Sequence, residues 1–552
     1  MNKKLILSGI CLAATFFTGC QKEKADAIYT NGIIYQVDST FSKAEAFAVK
    51  NGKFLSVGSS DEILSQYESD KMIDLNGNPV YPGFYDAHCH FVELGNVLQT
   101  ANLVGTKSFS EILEKLKGFR TAHPAQAWLE GRGWDQNDWE DKSFPTKDSL
   151  DILFPDVPVI LTRIDGHAVL VNSKALELGG VDEGTKVEGG KVVLENGQPT
   201  GILVDNAANL VIEAMPDLTE AQLGDNLKIA EELCFQNGIT TVADAGLRKK
   251  QIDFVGKMHD NGNLKIRMYA MAHPADTSFY FGNGPVKTDR LNVTSFKIYA
   301  DGALGSRGAC LLHPYHDDPD NSGFLLESVE DLRNLVKAIS LLDFQANTHC
   351  IGDSANRALL DIYGEVLKGE NDKRWRIEHA QVVSSDDMEK FAKYNVIPSV
   401  QPTHATSDMY WAEDRLGKDR IKTAYAYKTL LEQNGMLAIG SDFPVEDVNP
   451  LYGFHAAVAR QDGENYPEEG FQMENAISRE DALRGMTIWA AYAQFEENEN
   501  GSIEEGKKAD FVILSEDIMT APNEKLRDVK VMNTIVGGEE VFTQQKLDKV
   551  NM

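Results

Sequence analysis

Short apolar runs rich in β-branched residues alternate with amphipathic segments through the middle of the chain. Compact apolar runs indicate buried strands, whereas apolar residues spaced three and four apart indicate helices that pack on a core. Helical patterns occupy 328–342, 353–368 and 384–394. The strand pattern recurs eight times, at 84–90, 240–245, 266–272, 295–301, 344–350, 375–381, 397–403 and 437–442. Eight strands with helices between them predict an α/β protein built on a (β/α)8 TIM barrel.

The interval between the first two predicted strands is too long for one crossover. It is roughly five times an ordinary βαβ unit of about 30 residues. It contains "EGRGWDQNDW" (130–139), an apolar stretch at 156–173 and a hairpin-like "KVVLENGQPTGILV" (191–204) with Asn196-Gly197 at its turn. We therefore expect 105–225 to form an inserted α/β domain, and the barrel to comprise 81–104 and 226–496.

Both ends of the chain are rich in β-prone residues. Asn-Gly and Gly-Gly pairs between such runs are typical of two-residue hairpin turns. These pairs occur at Asn31-Gly32, Asn51-Gly52 and Gly537-Gly538. Neither end has enough strands for a sandwich of its own. We expect residues 25–80 and 497–546 to form one small β-sandwich together.

The first twenty residues are typical of an export signal. Two lysines precede an apolar stretch that is too short for a good membrane span, and small residues follow it. Residues 17–20, "FTGC", resemble a bacterial lipobox. This predicts removal of residues 1–19, a lipid anchor on Cys20, and an exported cell-envelope lipoprotein of a bacterium, on the periplasmic side or the surface. A cleaved signal without a lipid is the alternative.

The chain is strongly acidic, with a formal net charge of −30 over 552 residues. Such a charge argues against nucleic acid as a partner, because phosphates would be repelled. Membrane contact is expected only through the N-terminal anchor. The remaining cysteines are too sparse for a disulfide framework and lack C-x-x-C spacing, so we interpret them as buried apolar residues. The oligomeric state stays open, a homodimer included.

Several predicted strands carry a polar residue at their C-terminal end. Catalytic groups of a TIM barrel lie at the C-terminal ends of its strands. The residues at these ends are His88 and His90, Lys297 and Asp301, His349, His379 and Asp442. Two histidines in one strand could be accidental, but a set distributed over five strands predicts a metal site.

Several motifs resemble the amidohydrolase superfamily, and specifically its amidohydrolase-3, YtcJ-like branch. "PGFYDAHCHF" (82–91) matches the Pro-Gly-x-x-Asp-x-His-x-His opening, and "GSIEEGKKADFVIL" (501–514) resembles the return to the sandwich. The branch is indicated by "GRGWDQNDW" (131–139), "FKIYADGALGSRGA" (296–309), "VQPTHATSDMYWAEDRLG" (400–417) and "GSDFPVEDVNP" (440–450). The resemblance covers nearly the whole chain beyond the signal.

The resemblance implies a binuclear centre. His88 and His90 would bind one divalent ion with Asp442, and His349 and His379 would bind a second. Lys297 would bridge the two ions as a carbamate formed with carbon dioxide. Among divalent metals, zinc is the one that imidazole and carboxylate ligands suit best. A bridging hydroxide would then attack the carbonyl of a small amide-type substrate, with Asp442 as general base and then general acid at a non-peptide C–N bond.

Plainer structural roles stand beside these assignments. Lys297 could be an ion-paired barrel lysine, and Asp442 could cap a helix. Asp86 could orient a ligand histidine or simply bind the backbone after a turn. Four further residues are candidates for contacts with the substrate: His167, His404, Arg415 and Trp134. Each could instead be an ordinary surface, ion-paired or core residue.

Two other functions compete with the amide hydrolase. One is a deaminase of the same superfamily; the resemblance implies one metal and no strand-four lysine for that class, so Lys297 favours the hydrolase. The other is a solute-binding lipoprotein that has lost catalysis, which an intact ligand set disfavours.

Overall fold

The computed structural model describes residues 22–369 and 371–546. The predicted signal at 1–19 and the predicted anchor Cys20 lie outside the described residues. Within the described part of the chain, no helix combines the length and the apolar character needed to cross a bilayer.

Eight parallel strands form the central sheet in chain order, as predicted. We label them β1 to β8; they are Phe84–Cys89, Ile239–Leu247, Arg267–Ala272, Leu291–Tyr299, Gln345–Cys350, Arg376–His379, Ile397–Val400 and Ala438–Ile439. The ends of the sheet meet through the backbone beyond β8. The Asp442 N–H donates to the His88 carbonyl at 2.7 Å, and the His90 N–H donates to the Phe443 carbonyl at 2.8 Å. The sheet is therefore a nearly closed (β/α)8 barrel.

Amphipathic helices cover the outside of the barrel. The helix Val329–Ser340 buries Leu332, Val336 and Ile339 on one face, and the Ser328 side chain caps its N-terminus. Each such side chain stabilises the fold by about 1.5–3 kcal/mol. The barrel helices are Phe91–Val97, Glu220–Gln236, Lys249–Asp260, Thr277–Asn283, Val329–Ser340, Asp353–Leu367, Glu389–Tyr394, Pro402–Asp408, Ala412–Arg420, Tyr427–Asn434, Pro450–Ala459, Arg479–Gly485 and Ile488–Ala493. The helix predicted from residue 384 begins only at Glu389.

Strands from both chain ends form two sheets that enclose one apolar cluster. One sheet has the order Lys53–Gly58, Ala46–Lys50, Ala27–Thr30, Met72–Asp74. The other has the order Glu539–Thr543, Val531–Val536, Phe511–Leu514, Pro79–Pro82, Ile33–Tyr35, Lys43–Ala44. At its centre, a C-terminal strand pairs antiparallel with an N-terminal strand that leads directly into β1.

One of the three predicted terminal hairpins is wrong. Asn51-Gly52 and Gly537-Gly538 join antiparallel neighbours and have positive φ angles at both positions. At Asn31-Gly32 only Asn31 has a positive φ, and the strands on either side belong to different sheets. A Cβ on Gly32 would lie 2.5 Å from a Leu75 methyl carbon, so a larger residue there would displace the Leu75 side chain.

The insertion has a six-stranded mixed sheet of its own. Its strands, in spatial order, are Ala101–Asn102, Leu129–Trp134, Val159–Arg163, Ala168–Val171, Gln198–Asp205 and Gly190–Glu195. Its helices are Phe109–Ala122, Asp148–Leu153, Ser173–Gly179 and Asn206–Ile212. Separate apolar clusters pack on this sheet. The predicted turn Asn196-Gly197 has positive φ angles and closes the expected hairpin. The loop after Val159–Arg163 faces the barrel mouth, where it lines the main cavity.

Candidate metal centre

The C-terminal strand ends converge on one cavity of about 1240 Å³. Five of the predicted strand-end ligands line it: His90, Lys297, His349, His379 and Asp442. The sixth, His88, is fully buried behind this wall, and its Nε2 lies 3.0 Å from Lys297 Nζ. Five of the six side chains thus line one cavity at the barrel mouth, and the sixth lies directly behind its wall.

The first group of potential ligands comes from β1 and from the loop after β8. His90 Nε2 lies 3.2 Å from Asp442 Oδ1, and His88 Nε2 lies 3.6 Å from the same oxygen. That oxygen is buried and, among the described residues, has no partner in hydrogen-bond geometry. Leaving a buried carboxylate oxygen unpaired is costly. A cation held between this oxygen and the two imidazoles would satisfy it, so the residues present fit a metal ion.

The second group shares Asp442 with the first. Ligand atoms of His379, His404 and Asp442 lie within 4.8 Å of one another. The His379 ring lies 4.9 Å from the His88 ring and 4.5 Å from the His349 ring, between centroids. The sequence predicts His404 as a substrate contact only, although its position four residues after β7 is also a signal for a ligand.

Lys297 lies beside the His88 imidazole, with the carboxylates of Glu378, Asp442 and Asp244 farther away. Besides the contact with His88, its Nζ lies 4.8 Å from the Tyr299 ring centroid. No ion pair of Lys297 occurs among the described residues. Burial lowers the pKa of Lys297 to about 8. A substantial fraction of this amine is therefore neutral near physiological pH, unlike that of an ordinary ion-paired lysine.

Acceptors on other elements fix the outer ring nitrogens. His88 Nδ1 lies 2.5 Å from Glu378 Oε2, and His379 Nδ1 lies 2.8 Å from Gln401 Oε1. Such acceptors orient an imidazole with its other nitrogen toward the metal. His379 and Asp442 also have positive φ angles, of 72° and 64°. Strained backbone of this kind costs about 1–3 kcal/mol and clusters at functional sites.

The charges on three imidazoles and on Asp442 suit cation binding. His404 differs, because the effect of burial is outweighed by hydrogen bonds with Asp442 and Glu446, which raise its pKa to about 10. Burial lowers the pKa of His88 to about 4 and holds the pKa values of His349 and His379 well below the usual value. Burial alone would raise the pKa of Asp442, but contacts with His404 and His90 outweigh it and hold that pKa well below 3.8. Neutral imidazoles and an ionised carboxylate are the forms that bind zinc.

Asp86 holds the barrel closed rather than orienting a ring. It accepts hydrogen bonds from the His88 N–H at 3.1 Å, from the Ser441 N–H at 3.0 Å and from the Ser441 hydroxyl at 2.5 Å. The residue at Nδ1 of the His88 ring is Glu378, which was not among the candidates from sequence. Its signal was available, since residues two apart on a strand share a face and Arg376 and Glu378 flank one position of β6.

The insertion contributes His167 to the cavity wall. Its Nδ1 lies 2.7 Å from Asp205 Oδ1, and its ring centroid lies 5.1 Å from that of His349. Asp205, also missed from sequence, fits against two glycines of the loop after β4. A Cβ on Gly302 or Gly308 would come within 2.6 Å or 2.5 Å of the Asp205 carboxylate. Burial lowers the pKa of His167, but the hydrogen bond with Asp205 outweighs it and the net shift is upward.

The structure does not bring Arg415 and Trp134 to the cavity wall. Arg415 is buried, pairs with Asp317, and donates to Asn137 Oδ1 at 2.7 Å. It thereby links the barrel to the insertion. Trp134 is fully buried in the core of the insertion and donates from Nε1 to the Leu161 carbonyl at 2.8 Å. Both side chains are occupied by structural contacts.

His404 does line the cavity, with Nε2 at 3.3 Å from Asp442 Oδ2 and Nδ1 at 3.1 Å from Glu446 Oε1.

Comparisons with known proteins agree with this geometry. Residues 71–542 match the model of the Amidohydrolase family. A putative amidohydrolase YtcJ of Bacillus subtilis is 32% identical, over 94% of this chain and 99% of its own. An N-substituted formamide deformylase of Arthrobacter pascens is 26% identical, over 93% and 97%. The crystal structure of an uncharacterized metal-dependent hydrolase from Pyrococcus horikoshii superposes with a TM-score of 0.74 at 28% identity, over 91% of this chain and 99% of that one.

Proposed function

This chain belongs to the amidohydrolase family, and we propose that it is a metal-dependent hydrolase that cleaves the C–N bond of a small non-peptide amide. One observation carries the proposal: two groups of metal-binding side chains share Asp442, and Lys297 contacts His88 beside them. One relative is named an N-substituted formamide deformylase, so N-formyl amines are the first substrate class to test.

The proposed cofactors are two divalent cations, zinc in the first place. His88, His90 and Asp442 would hold one ion, and His349 and His379 the other, with Lys297 between them as a carbamate. His404 extends toward the second position. When bound, the ions supply Lewis acidity that polarises the amide carbonyl and lowers the pKa of a water.

Proton transfer is assigned to Asp442. Its carboxylate is ionised, because the contacts with His404 and His90 lower its pKa. Asp442 accepts the proton of the attacking water and delivers it to the departing nitrogen, which cannot leave as an anion. His404, with Nδ1 at Glu446 and Nε2 3.3 Å from Asp442 Oδ2, keeps that carboxylate oriented.

His167 is assigned to substrate binding. Asp205 holds its Nδ1, which leaves Nε2 for an oxygen of the substrate at the cavity wall. Because His167 belongs to the insertion, the insertion would contribute directly to the recognition of the substrate.

The experiment combines metal analysis with a panel of N-formyl, N-acyl and cyclic amides. We expect about two divalent ions per chain and turnover of at least one amide. Asp442→Asn should lower kcat about 10²–10⁴-fold, because a proton-transfer group is lost. The control is Asp419→Asn, an exposed carboxylate on a barrel helix, which should behave as wild type.

Products separate the competing functions. Release of a carboxylic acid and an amine supports the proposal, whereas release of ammonia from an amino-substituted ring indicates a deaminase. A metal-loaded protein that turns over no amide, or an Asp442→Asn variant with full activity, would refute it.

We also propose that the protein is exported and anchored through Cys20, on the strength of the signal-like residues 1–20. Detergent phase partitioning of the full chain tests this. Wild type should enter the detergent phase and Cys20→Ser should not; equal partitioning of the two contradicts the anchor.

A further inference from the structure

We propose that Glu378, held in place by Arg376, is a positioning residue that fixes the His88 ring with Nε2 toward the metal centre. The proposal rests on the proposed function only in requiring that the centre binds a metal ion.

The three side chains form a continuous buried chain of contacts. Arg376 Nε lies 2.7 Å from Glu378 Oε1, and Arg376 Nη2 donates to Glu378 Oε2 at 2.9 Å. Glu378 Oε2 in turn lies 2.5 Å from His88 Nδ1, and all three residues are 0% exposed. An ionised carboxylate can only accept hydrogen bonds. The hydrogen of neutral His88 is therefore on Nδ1, and the lone pair of Nε2 faces Lys297 and Asp442.

Arg376 is itself fixed from two other strands. Its Nη2 donates to the Ala87 carbonyl of β1 at 2.6 Å and lies 3.0 Å from the Ser399 hydroxyl of β7. Ala87 directly precedes His88. The guanidinium thus sets both the backbone that carries the ligand and the carboxylate that orients its ring.

Stability alone does not account for this pair. A buried ion pair gains little over well-packed apolar side chains, because both charges must be removed from water. Three buried atoms of the pair, Arg376 Nε and Nη1 and Glu378 Oε1, also have no partner in hydrogen-bond geometry among the described residues. We therefore interpret the buried charge of Glu378 as serving to orient the neighbouring ligand, His88.

His88 differs in this respect from the other rings of the centre. The acceptor for His379 is the neutral amide of Gln401, and the acceptor for His404 is Glu446, which is partly exposed. Among the described acceptors of these three rings, Glu378 is the one that is both charged and fully buried. Its removal should therefore weaken metal binding through His88 specifically.

The test compares zinc affinity and the visible spectrum of the cobalt-substituted protein for wild type and Glu378→Gln. Zinc affinity is measured by competition with a chromophoric chelator. Losing an acceptor of this kind typically costs about 10–100-fold in metal affinity. We expect a loss of that size, with a changed cobalt spectrum. Glu378→Asp keeps the charge but shortens its reach, and should restore part of the affinity.

The matched control is Asp510→Asn. Asp510 accepts from Arg267 Nε at 2.6 Å in another buried Arg–carboxylate pair, which joins β3 to the sandwich and does not touch a ligand. Its zinc affinity and cobalt spectrum should equal those of wild type.

Several outcomes overturn the proposal: Glu378→Gln with zinc affinity within twofold of wild type, equal losses in Glu378→Gln and Asp510→Asn, or a wild-type protein that binds no metal. If Glu378→Gln does not fold, Glu378→Asp alone decides, since it should weaken zinc binding severalfold and an unchanged affinity refutes the proposal. A protein that shows the expected metal effects but hydrolyses no amide refutes the proposed function and leaves this inference intact.

Discussion

Lys297 shows how burial changes what a side chain can do. With its pKa lowered to about 8, roughly a tenth of its amine is neutral at pH 7, whereas an ordinary lysine with a pKa near 10.4 has less than a thousandth. Carbon dioxide reacts only with the neutral amine. Burial therefore favours the carbamate that we propose at this position.

Metal reconstitution should consequently depend on pH. Raising the pH removes the proton from Lys297, so the rate at which metal-depleted protein regains zinc at fixed dissolved carbon dioxide should rise about tenfold per unit up to pH 8 and then level off. Lys297→Met should lack this dependence and bind less zinc. A wild-type rate that is constant between pH 6 and pH 8 would contradict the assignment.

At this scale, sequence predicts ligands better than the residues that orient them. The strand-end residues could be found because the C-terminal ends of parallel strands share one rim. The shared face of Arg376 and Glu378 on β6 could be read from their spacing, but the contact of Glu378 with His88 could not, because it depends on which strand lies across the barrel. Of the two roles that the sequence left open for Asp86, the structure shows hydrogen bonding to the backbone, because its carboxylate accepts from the N–H groups of His88 and Ser441.

The loop after β4 packs closely against the end of the insertion strand Gln198–Asp205. Gly302 and Gly308 leave just enough room for the Asp205 carboxylate, which holds His167. Asp205 has a positive φ of 51°, which is unusual for a residue other than glycine. The position of His167 therefore depends on two elements distant in sequence.

Substituting one of these glycines should affect recognition more than stability. The added Cβ of Gly308→Ala would lie 2.5 Å from Asp205 Oδ2, so the carboxylate must move and His167 loses its hydrogen bond. We expect kcat/KM on the best panel substrate to fall about tenfold, the value of one hydrogen bond involving a charged group. Steady-state kinetics and a thermal melt would measure the two effects.

The controls separate this effect from general disturbance. Gly282→Ala, in the helix Thr277–Asn283 with open space around the new Cβ, should change neither kinetics nor melting. Gly308→Ala should cost nothing further in a His167→Asn background, because both changes remove the same contact. Full additivity of the two would show that His167 is not the residue affected.

Among the secondary-structure elements, turns could be predicted only where the two flanking strands pair with each other. Asn51-Gly52 and Asn196-Gly197 join strands that pair directly, so a two-residue signal determines the structure. Asn31-Gly32 has the same signal, but Ile33–Tyr35 pairs with Pro79–Pro82, more than forty residues on. Long-range pairing outweighed the local preference there.

At the scale of the whole molecule, closure of the barrel and assembly of the candidate metal centre depend on the same backbone hydrogen bonds. The backbone bonds that close the sheet join His88 and His90 to Asp442 and Phe443. The first metal-binding group therefore exists only when β1 and the segment after β8 are in register. The sequence predicted both features separately, but could not show that the same residues perform both roles.

The sandwich should couple the two chain ends in unfolding. Phe511, from the C-terminal part, is fully buried and packs against Tyr29, Phe47 and Phe54 from the N-terminal part, with centroids 5.1, 4.9 and 6.0 Å away. Phe511→Ala should lower the free energy of unfolding by about 3–5 kcal/mol, because a large cavity remains. Phe279→Ala, on a ring 39% exposed, should cost about 1 kcal/mol or less.

Hydrogen exchange tests the coupling itself. Because Phe511–Leu514 pairs with Pro79–Pro82, which leads into β1, loss of the C-terminal strand should also expose amides of Ala27–Thr30 and Ala46–Lys50. We therefore expect Phe511→Ala to accelerate exchange in both ends together in urea-titrated samples. Faster exchange confined to 511–543 would show that the N-terminal sheet is stable by itself, and that the two ends of the chain do not form one cooperative unit.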